Sequence, residues 1–430
     1  MKQLLLELIK ELFEIILPEI KEREAKPEKF LDWNLKKIIP IIGFRRVGKT
    51  YLLLSIAKKL GKENTLYVNF EDERLNIEKL NIRDFINAVK EIYGNKKLIL
   101  LLDEVQEIPK WSKWLRTLND IPNFFVYATG SSSKISPKEI PTELRGRALT
   151  IHLFPLSFRE YLSFKEIKVG RTTTSTILNE LREYLNFGGF PEITLTKDKG
   201  KKYLILDEYF QTFVARDVIE RYRIRNREAI RYIVRILLNS TYITVSKTYN
   251  TLKSIGLKIG KNTVANYLKY LEESLFVYYL EQYSLSEKLT IQSPRKIYLI
   301  DTFFITRYSK FSENIGRKME NTVFLELLRI ASKNPLLEIY YWKDFQGHEI
   351  DFVIKENYAV KELIQVTYAN SFDEIDKREW RSLLKAKKLL KCNKLTIITW
   401  DYEDTKELSW FGEKGKIKFT PLWRWLQKHQ

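Results

Sequence analysis

The sequence predicts an α/β protein: a parallel sheet with helices on both faces, then a helical segment, a helix-turn-helix segment and a second α/β part. Three observations carry this. Between residues 37 and 156, apolar runs alternate with stretches of helical period, as expected of strands buried on both faces. The first apolar run breaks into a glycine-bounded loop and restarts as a helix. Around "NIGRKMENTVFLELLRIA" a long helical stretch opens a second series of strands.

The chain begins "MKQLLLELIKELFEIILPEIKERE", where acids and lysines interrupt any signal-peptide core. Its period places Leu4, Leu5, Leu8, Leu12, Ile15 and Ile16 on one side of an amphipathic helix that Pro18 bends or ends. Residues 1–34 are expected to dock on the sheet that follows; a subunit contact or a membrane surface is the alternative.

Residues 35–156 carry the densest chemistry. Gly43-Phe-Arg-Arg-Val-Gly48-Lys49-Thr50 fits G-x-x-x-x-G-K-[ST] at every fixed position. The glycines allow a tight backbone path with inward N–H groups, Lys49 reaches the β and γ phosphates of ATP, and Thr50 offers its hydroxyl to Mg2+. Arg46, Val47 and Tyr51 complete the expected nucleotide-binding set, and Leu52, Leu53, Ile56 and Leu60 mark the helix that the loop opens. A second strand, "NTLYVNFED", and a helix, "IRDFINAVKEIY", lead to "LILLLDEVQ". There Asp103 and Glu104 end a buried strand, at the edge that faces the phosphate loop in a doubly wound sheet. Asp103 is expected to hold Mg2+ through water, and Glu104 to orient and polarise the attacking water. "NFFVYATGSSSK" ends in hydroxyls, with Thr129 and Ser131 as candidate sensors of the γ phosphate. In "LRGR", Arg145 and Arg147 flank Gly146; Arg147 is preferred as an arginine reaching phosphate on a neighbouring subunit.

Residues 157–225 read as a helical lid broken by the tight turn of "NFGGFPEI". "ARDVIERYRIRNREAIRYIV" holds arginines at 216, 221, 223, 225, 227 and 231; it suits a phosphate backbone or a solvated helix face. Residues 226–302 read as a winged helix. Its recognition helix, "GKNTVANYLKYLEES", turns Lys261, Asn262, Thr263, Asn266 and Lys269 towards DNA and Val264, Tyr267, Leu268 and Leu271 inward. "LFVYYLEQY" and "RKIYLID" would form the wing.

The motifs GFRRVGKT, LILLLDEVQ, ATGSSS, LRGR with FPLSFREYL, GGFP and GRKMENTVFLELLR occur in this order. Over most of residues 35–400 the chain thereby resembles a widespread prokaryotic family of AAA-type P-loop ATPases with a C-terminal restriction-endonuclease-like, PD-(D/E)XK-type domain of unknown function. The resemblance implies a five-stranded ATPase core, a winged helix and a terminal αβββαβ fold at residues 303–430. Nucleases of this type hold Mg2+ on acids of a helix and two strands, with a lysine two residues past the last acid. The matching positions are Glu320, Glu326, Asp351, Gln365 and Thr367. Gln365-Val366-Thr367 stands where E-x-K is expected, and an amide is a poor ligand for a hard cation, so a degenerate site is expected. Lys361 shares a strand face with Gln365 by period-two counting.

The 430 residues hold 74 Lys and Arg against 55 Asp and Glu, a formal net charge of +19, which fits a polyanionic partner. One cysteine, Cys392, and three histidines exclude a disulfide framework and a cysteine-rich zinc site. No apolar run approaches membrane-spanning length, so a cytoplasmic protein is expected, and scarce Cys and Met lean towards a thermophilic, archaeal source. The expectation is an ATP- and Mg2+-dependent motor or switch on duplex or branched DNA, as a homo-oligomeric ring, for instance a hexamer. A nucleotide-dependent scaffold for protein partners and an ATP-dependent nuclease are the alternatives.

Overall fold

The apolar runs of the first part form five parallel strands: β1 (Ile39–Gly43), β2 (Thr65–Asn69), β3 (Leu98–Asp103), β4 (Phe124–Ser131) and β5 (Ile151–Leu153). Their order is β2-β3-β4-β1-β5, and β1 and β3 are buried at every residue. A computed structural model describes residues 2–11, 20–61, 63–131, 140–310 and 313–428. They divide into two compact units, one of 1–155, 209–223 and 273–275, the other of 156–208, 224–272 and 276–430. The segment expected as a lid is thus shared between the two.

In the first unit, α1 (Lys2–Glu11), α2 (Lys49–Leu60), α3 (Ile82–Tyr93) and α4 (Trp111–Asp120) join the strands. Leu4 and Leu8 of α1 pack on the core built around Leu66, Leu100 and Val126, so α1 docks on its own sheet. Leu12, Ile15, Ile16 and Pro18 of that expectation lie outside the described residues, as does the side chain of Leu5. A π-helical stretch, Phe213–Glu220, returns to this unit.

The second unit opens with α5 (Phe158–Phe164), started by a Ser157–Glu160 capping box, and α6 (Thr174–Phe187). The Gly188-Gly189 turn follows. Gly188 has φ +76°, and a Cβ there would lie 1.7 Å from Asp301 Oδ1; a Cβ on Gly189 would lie 2.5 Å from the Leu156 carbonyl oxygen. The turn therefore admits only hydrogen at both positions. Next come α7 (Arg227–Asn239), β6 (Tyr242–Ile243), α8 (Val245–Ser254), α9 (Lys261–Glu273), β7 (Val277–Leu280) and β8 (Arg295–Leu299). The strands make an antiparallel sheet in the order β6-β8-β7.

The chain continues through α10 (Ile315–Lys333), β9 (Leu337–Lys343), β10 (Glu349–Glu356), β11 (Ala359–Val366), α11 (Lys377–Leu390) and β12 (Leu395–Thr399). A hairpin, β13 (Asp404–Trp410) with β14 (Glu413–Pro421), and a last helix, α12 (Leu422–Lys428), are appended. The mixed sheet runs β13-β14-β12-β11-β10-β9. Met319, Val323 and Phe324 of α10 pack with Phe352, Ile364 and Ile398, while Leu383 and Leu384 of α11 pack with Val353, Leu363 and Ile397. Leu422, Trp425 and Leu426 of α12 join the α10 side, so this last helix is part of the core.

Candidate active site

The strand order inserts β4 between the strand that feeds the phosphate loop and the strand that carries the acids. Parallel register pairs Ile41 with Thr129 and Leu102 with Ala128, so Thr129 arrives beside Asp103. A Cβ added to Gly43 would lie 2.3 Å from the Leu153 carbonyl oxygen, so only glycine lets β5 pack this closely at the start of the loop. Gly48 has φ +95° and Arg46 φ +66°, the left-handed kinks that turn the loop into α2. Lys49 is buried, and its Nζ donates to the carbonyls of Gly43 at 3.2 Å and Phe44 at 3.1 Å. Burial holds its ammonium below the usual lysine range, opposed by the charges of Glu104 and Asp103.

Asp103 is 1% exposed and hydrogen-bonded on both oxygens. Thr129 Oγ1 donates to Oδ1, and Tyr67 Oη donates to Oδ2 at 2.9 Å. Burial and the Asp103 charge push the Tyr67 hydroxyl well up, so it stays a donor. The Glu104 N–H donates to Thr129 Oγ1 at 3.1 Å. Glu104 itself has φ +51°, and Gln106 Nε2 donates to its Oε2 at 2.6 Å. A hydroxyl has one proton; Thr129 gives it to Asp103, so its geometry is that of a clamp on the acid pair rather than of a phosphate sensor. The side chain of Ser131 lies outside the described residues.

Thr50 and Asp103 supply hard oxygen donors at this edge of the sheet, and Lys49 supplies an ammonium from the same loop, so the residues fit ATP with Mg2+. Val47 is fully buried, whereas Tyr51 is 63% exposed. The Arg46 guanidinium lies over the Tyr209 ring, 5.5 Å from its centroid. Three partners of the loop escaped sequence reasoning. Arg45 makes a two-pronged bond to Asp217 of the π-helical stretch, Nε to Oδ2 and Nη2 to Oδ1, both 3.0 Å. Phe213 stacks near Phe44 at 5.1 Å. Arg23 donates to the Val47 carbonyl at 2.8 Å and the Phe154 carbonyl at 2.9 Å. The sequence signal was limited to Asp217, one of three acids within an arginine-rich stretch.

Arg147 does not approach its own phosphate loop. Its carbonyl accepts the Ile38 N–H at 2.9 Å, at the start of β1, about 17 Å of strand from Gly43 at ~3.3 Å per residue. Its guanidinium pairs with Asp120 at 2.7 Å. Arg145 has φ +50° on the same turn.

In the second unit, α9 exposes Lys261, Asn262, Asn266 and Lys269, half-buries Thr263 and buries Val264, Tyr267, Leu268 and Leu271. The expected nuclease-type residues separate. Glu320 and Asp351 share one cluster, and Gln365 borders it, its Oε1 accepting the Asp351 N–H at 3.2 Å. Glu326 is elsewhere, buried between Arg159 and Arg329, each at 2.9 Å. The six residues from Glu320 to Glu326 turn about 600° of helix, to another face. Thr367 lies past the end of β11, its N–H on the Ile398 carbonyl at 2.9 Å. Lys361 is exposed and pairs with Glu356 at 3.7 Å. The cluster contains two residues that sequence reasoning missed, Glu349 and Lys296.

Residues 35–162 match the AAA domain family; residues 178–314 and 315–412 match two families each described as a domain of unknown function. An uncharacterised protein of Methanocaldococcus jannaschii is 39% identical over 421 residues, which cover 93% of this chain and 92% of that protein. The chain belongs to that protein's family. An uncharacterised Haemophilus influenzae protein, 28% identical over 390 residues, covers 88% of this family member and 92% of its own length. A solved Walker-type ATPase of Pyrococcus abyssi aligns at TM-score 0.45 with 16% identity, covering 69% of this chain and 99% of its own. The AAA match spans the phosphate loop, the acid pair and Thr129, so the site just described lies in an AAA domain. Among the described residues, no helix is long and apolar enough to cross a membrane.

Proposed function

We propose that this chain is a Mg2+-dependent ATPase of the AAA kind that acts on DNA as a motor or switch. The observation that carries it is the assembly of Lys49, Asp103, Glu104 and Thr129 at one edge of the parallel sheet. Lys49 would turn from its loop carbonyls to the β and γ phosphates, and Thr50 with Asp103 would hold the metal, which neutralises charge on the transferring phosphoryl group. Glu104 would orient the attacking water and accept its proton. Thr129 and Tyr67 keep Asp103 aimed, and Thr129, accepting from the Glu104 N–H, fixes where the Glu104 side chain begins.

The DNA half of the reading rests on α9, whose exposed side carries two lysines and two asparagines while its apolar side is buried. With the β7–β8 hairpin following it, this arrangement supports a winged-helix reading, and the charge of +19 supports a polyanion. The test is steady-state ATP hydrolysis without DNA and with duplex, single-stranded and four-way-junction DNA at two salt concentrations. Stimulation by one form, weakened by salt, is expected. No stimulation and no DNA binding at low salt would replace this reading with a nucleotide-dependent scaffold for proteins.

A further inference from the structure

The resemblance of the terminal part to a metal-dependent nuclease fold implies a divalent cation among acids of a helix and two strands. The acids are present but do not fit one. Glu320 on α10, Glu349 and Asp351 on β10 turn one oxygen each to a single point, and Lys296 Nζ occupies it, at 3.0, 2.9 and 2.8 Å respectively. An ammonium has three N–H donors, one for each carboxylate. Lys296 is 4% exposed, between the rings of Tyr242 and Tyr341 at 6.0 and 5.8 Å from their centroids. Strand period explains the convergence: Glu349 and Asp351 are two apart on β10, as are Lys296 and Tyr298 on β8.

Distances and charge both favour the ammonium. The three contacts, at 2.8–3.0 Å, are those of charge-assisted hydrogen bonds from one ammonium. The second oxygens of two of the acids are engaged as well, Glu349 Oε2 by Lys343 at 2.9 Å and Asp351 Oδ2 by the Val366 N–H at 2.9 Å, while Glu320 Oε1 also accepts from Tyr298 Oη at 2.7 Å. Gln365, at the position of the missing carboxylate, is turned to Asp351 and Glu379. The adjoining cavity, about 130 Å³, is lined by the same acids with Arg317. Lys296 and Lys343 thus already pair with these acids.

We infer that Lys296 is a built-in cation that takes the place of a divalent metal among Glu320, Glu349 and Asp351, and that this part of the chain performs no metal-dependent strand cleavage. The inference does not depend on the ATPase reading. It also explains how the buried Asp351 and the half-buried Glu320 and Glu349 are tolerated together, since such charges need partners.

The test is a count of bound Mn2+ by electron paramagnetic resonance on the full nucleotide-free chain, with wild type, Asp351→Asn and Lys296→Met. Wild type and Asp351→Asn are expected to bind equal numbers. Lys296→Met is expected to unfold at lower temperature than wild type, to recover on adding Mn2+, and to bind one more ion, lost again in Lys296→Met/Glu320→Gln. A wild-type ion that disappears in Asp351→Asn would overturn the inference, as would Mn2+-dependent DNA cutting abolished by that substitution. So would a folded Lys296→Met that gains no ion and no Mn2+-dependent stability. The comparison of wild type with Asp351→Asn decides the matter even if Lys296→Met does not fold.

Discussion

Thr129 is the side chain that joins the two acids of the nucleotide site, accepting from the Glu104 N–H and donating to Asp103. Thr129→Val removes both bonds at constant volume and should lower kcat at least ~10-fold, with a smaller change in nucleotide affinity, because one lost hydrogen bond to a charged group is worth ~1.5–3 kcal/mol. Thr129→Ser should retain most activity; steady-state kinetics with a separate nucleotide-binding titration measure both. Glu104→Gln should bind nucleotide yet turn over ~10²–10⁴-fold more slowly, the range for a lost general base. Normal hydrolysis in that variant would remove Glu104 from its role. In the second unit, burial raises the Asp301 carboxyl to about 7, against the N–H groups of Gly189 and Phe303 that lower it. A raised folded value means the native state binds the proton more tightly than the unfolded chain. The resulting stabilisation is complete below about pH 4 and is lost as the pH rises through about 7. Asp301→Asn should flatten that part of the pH dependence of the urea midpoint; an unchanged slope would assign it elsewhere, with Asp351, also raised to about 7 by burial and Glu320, as the next group to test.

Single elements show the same logic of positions that admit only one residue type. At Gly188, a side chain would meet Asp301 and adopt φ +76°, whereas at Gly412, in the β13–β14 hairpin, φ is +79° but nothing lies within 4 Å of an added Cβ. Gly412→Ala should therefore lose only the ~1–2 kcal/mol of left-handed strain, and Gly188→Ala distinctly more, read as the difference in urea midpoint. Equal losses would mean that Asp301 moves aside without penalty. The π-helical Phe213–Glu220 is the other instructive element. Wide turns of this kind frequently accompany functional sites, and this one brings Asp217 to Arg45 and Phe213 to Phe44 of the phosphate loop. Sequence periodicity could not reveal it, because one widened turn changes which residues face inward without changing composition.

At the scale of the molecule, Arg147 stands at the far end of β1 from its own phosphate loop, and the proposal that it reaches phosphate on a neighbouring chain has a direct test. Mixing Arg147→Ala chains with Lys49→Ala chains, each inactive alone, should restore part of the ATPase activity, since some interfaces then pair an intact loop with an intact arginine. No recovery at any mixing ratio would leave Arg147 to its ion pair with Asp120.

The phosphate loop, the buried strand ending in Asp103 and Glu104, and the amphipathic faces of α1 and α9 were legible from residue order alone. Each is local: the spacing of glycines, the length of an apolar run or a period of 3.6 sets it within one element. Tertiary structure alone decided which charges meet. It set Thr129 between the acids through the insertion of β4, brought Asp217 to Arg45 from 172 residues away, and closed Lys296 onto acids from α10 and β10. A lysine within the apolar strand "RKIYLID" signals that a buried cation needs partners, but the partners depend on strand order and helix packing, which no local pattern encodes.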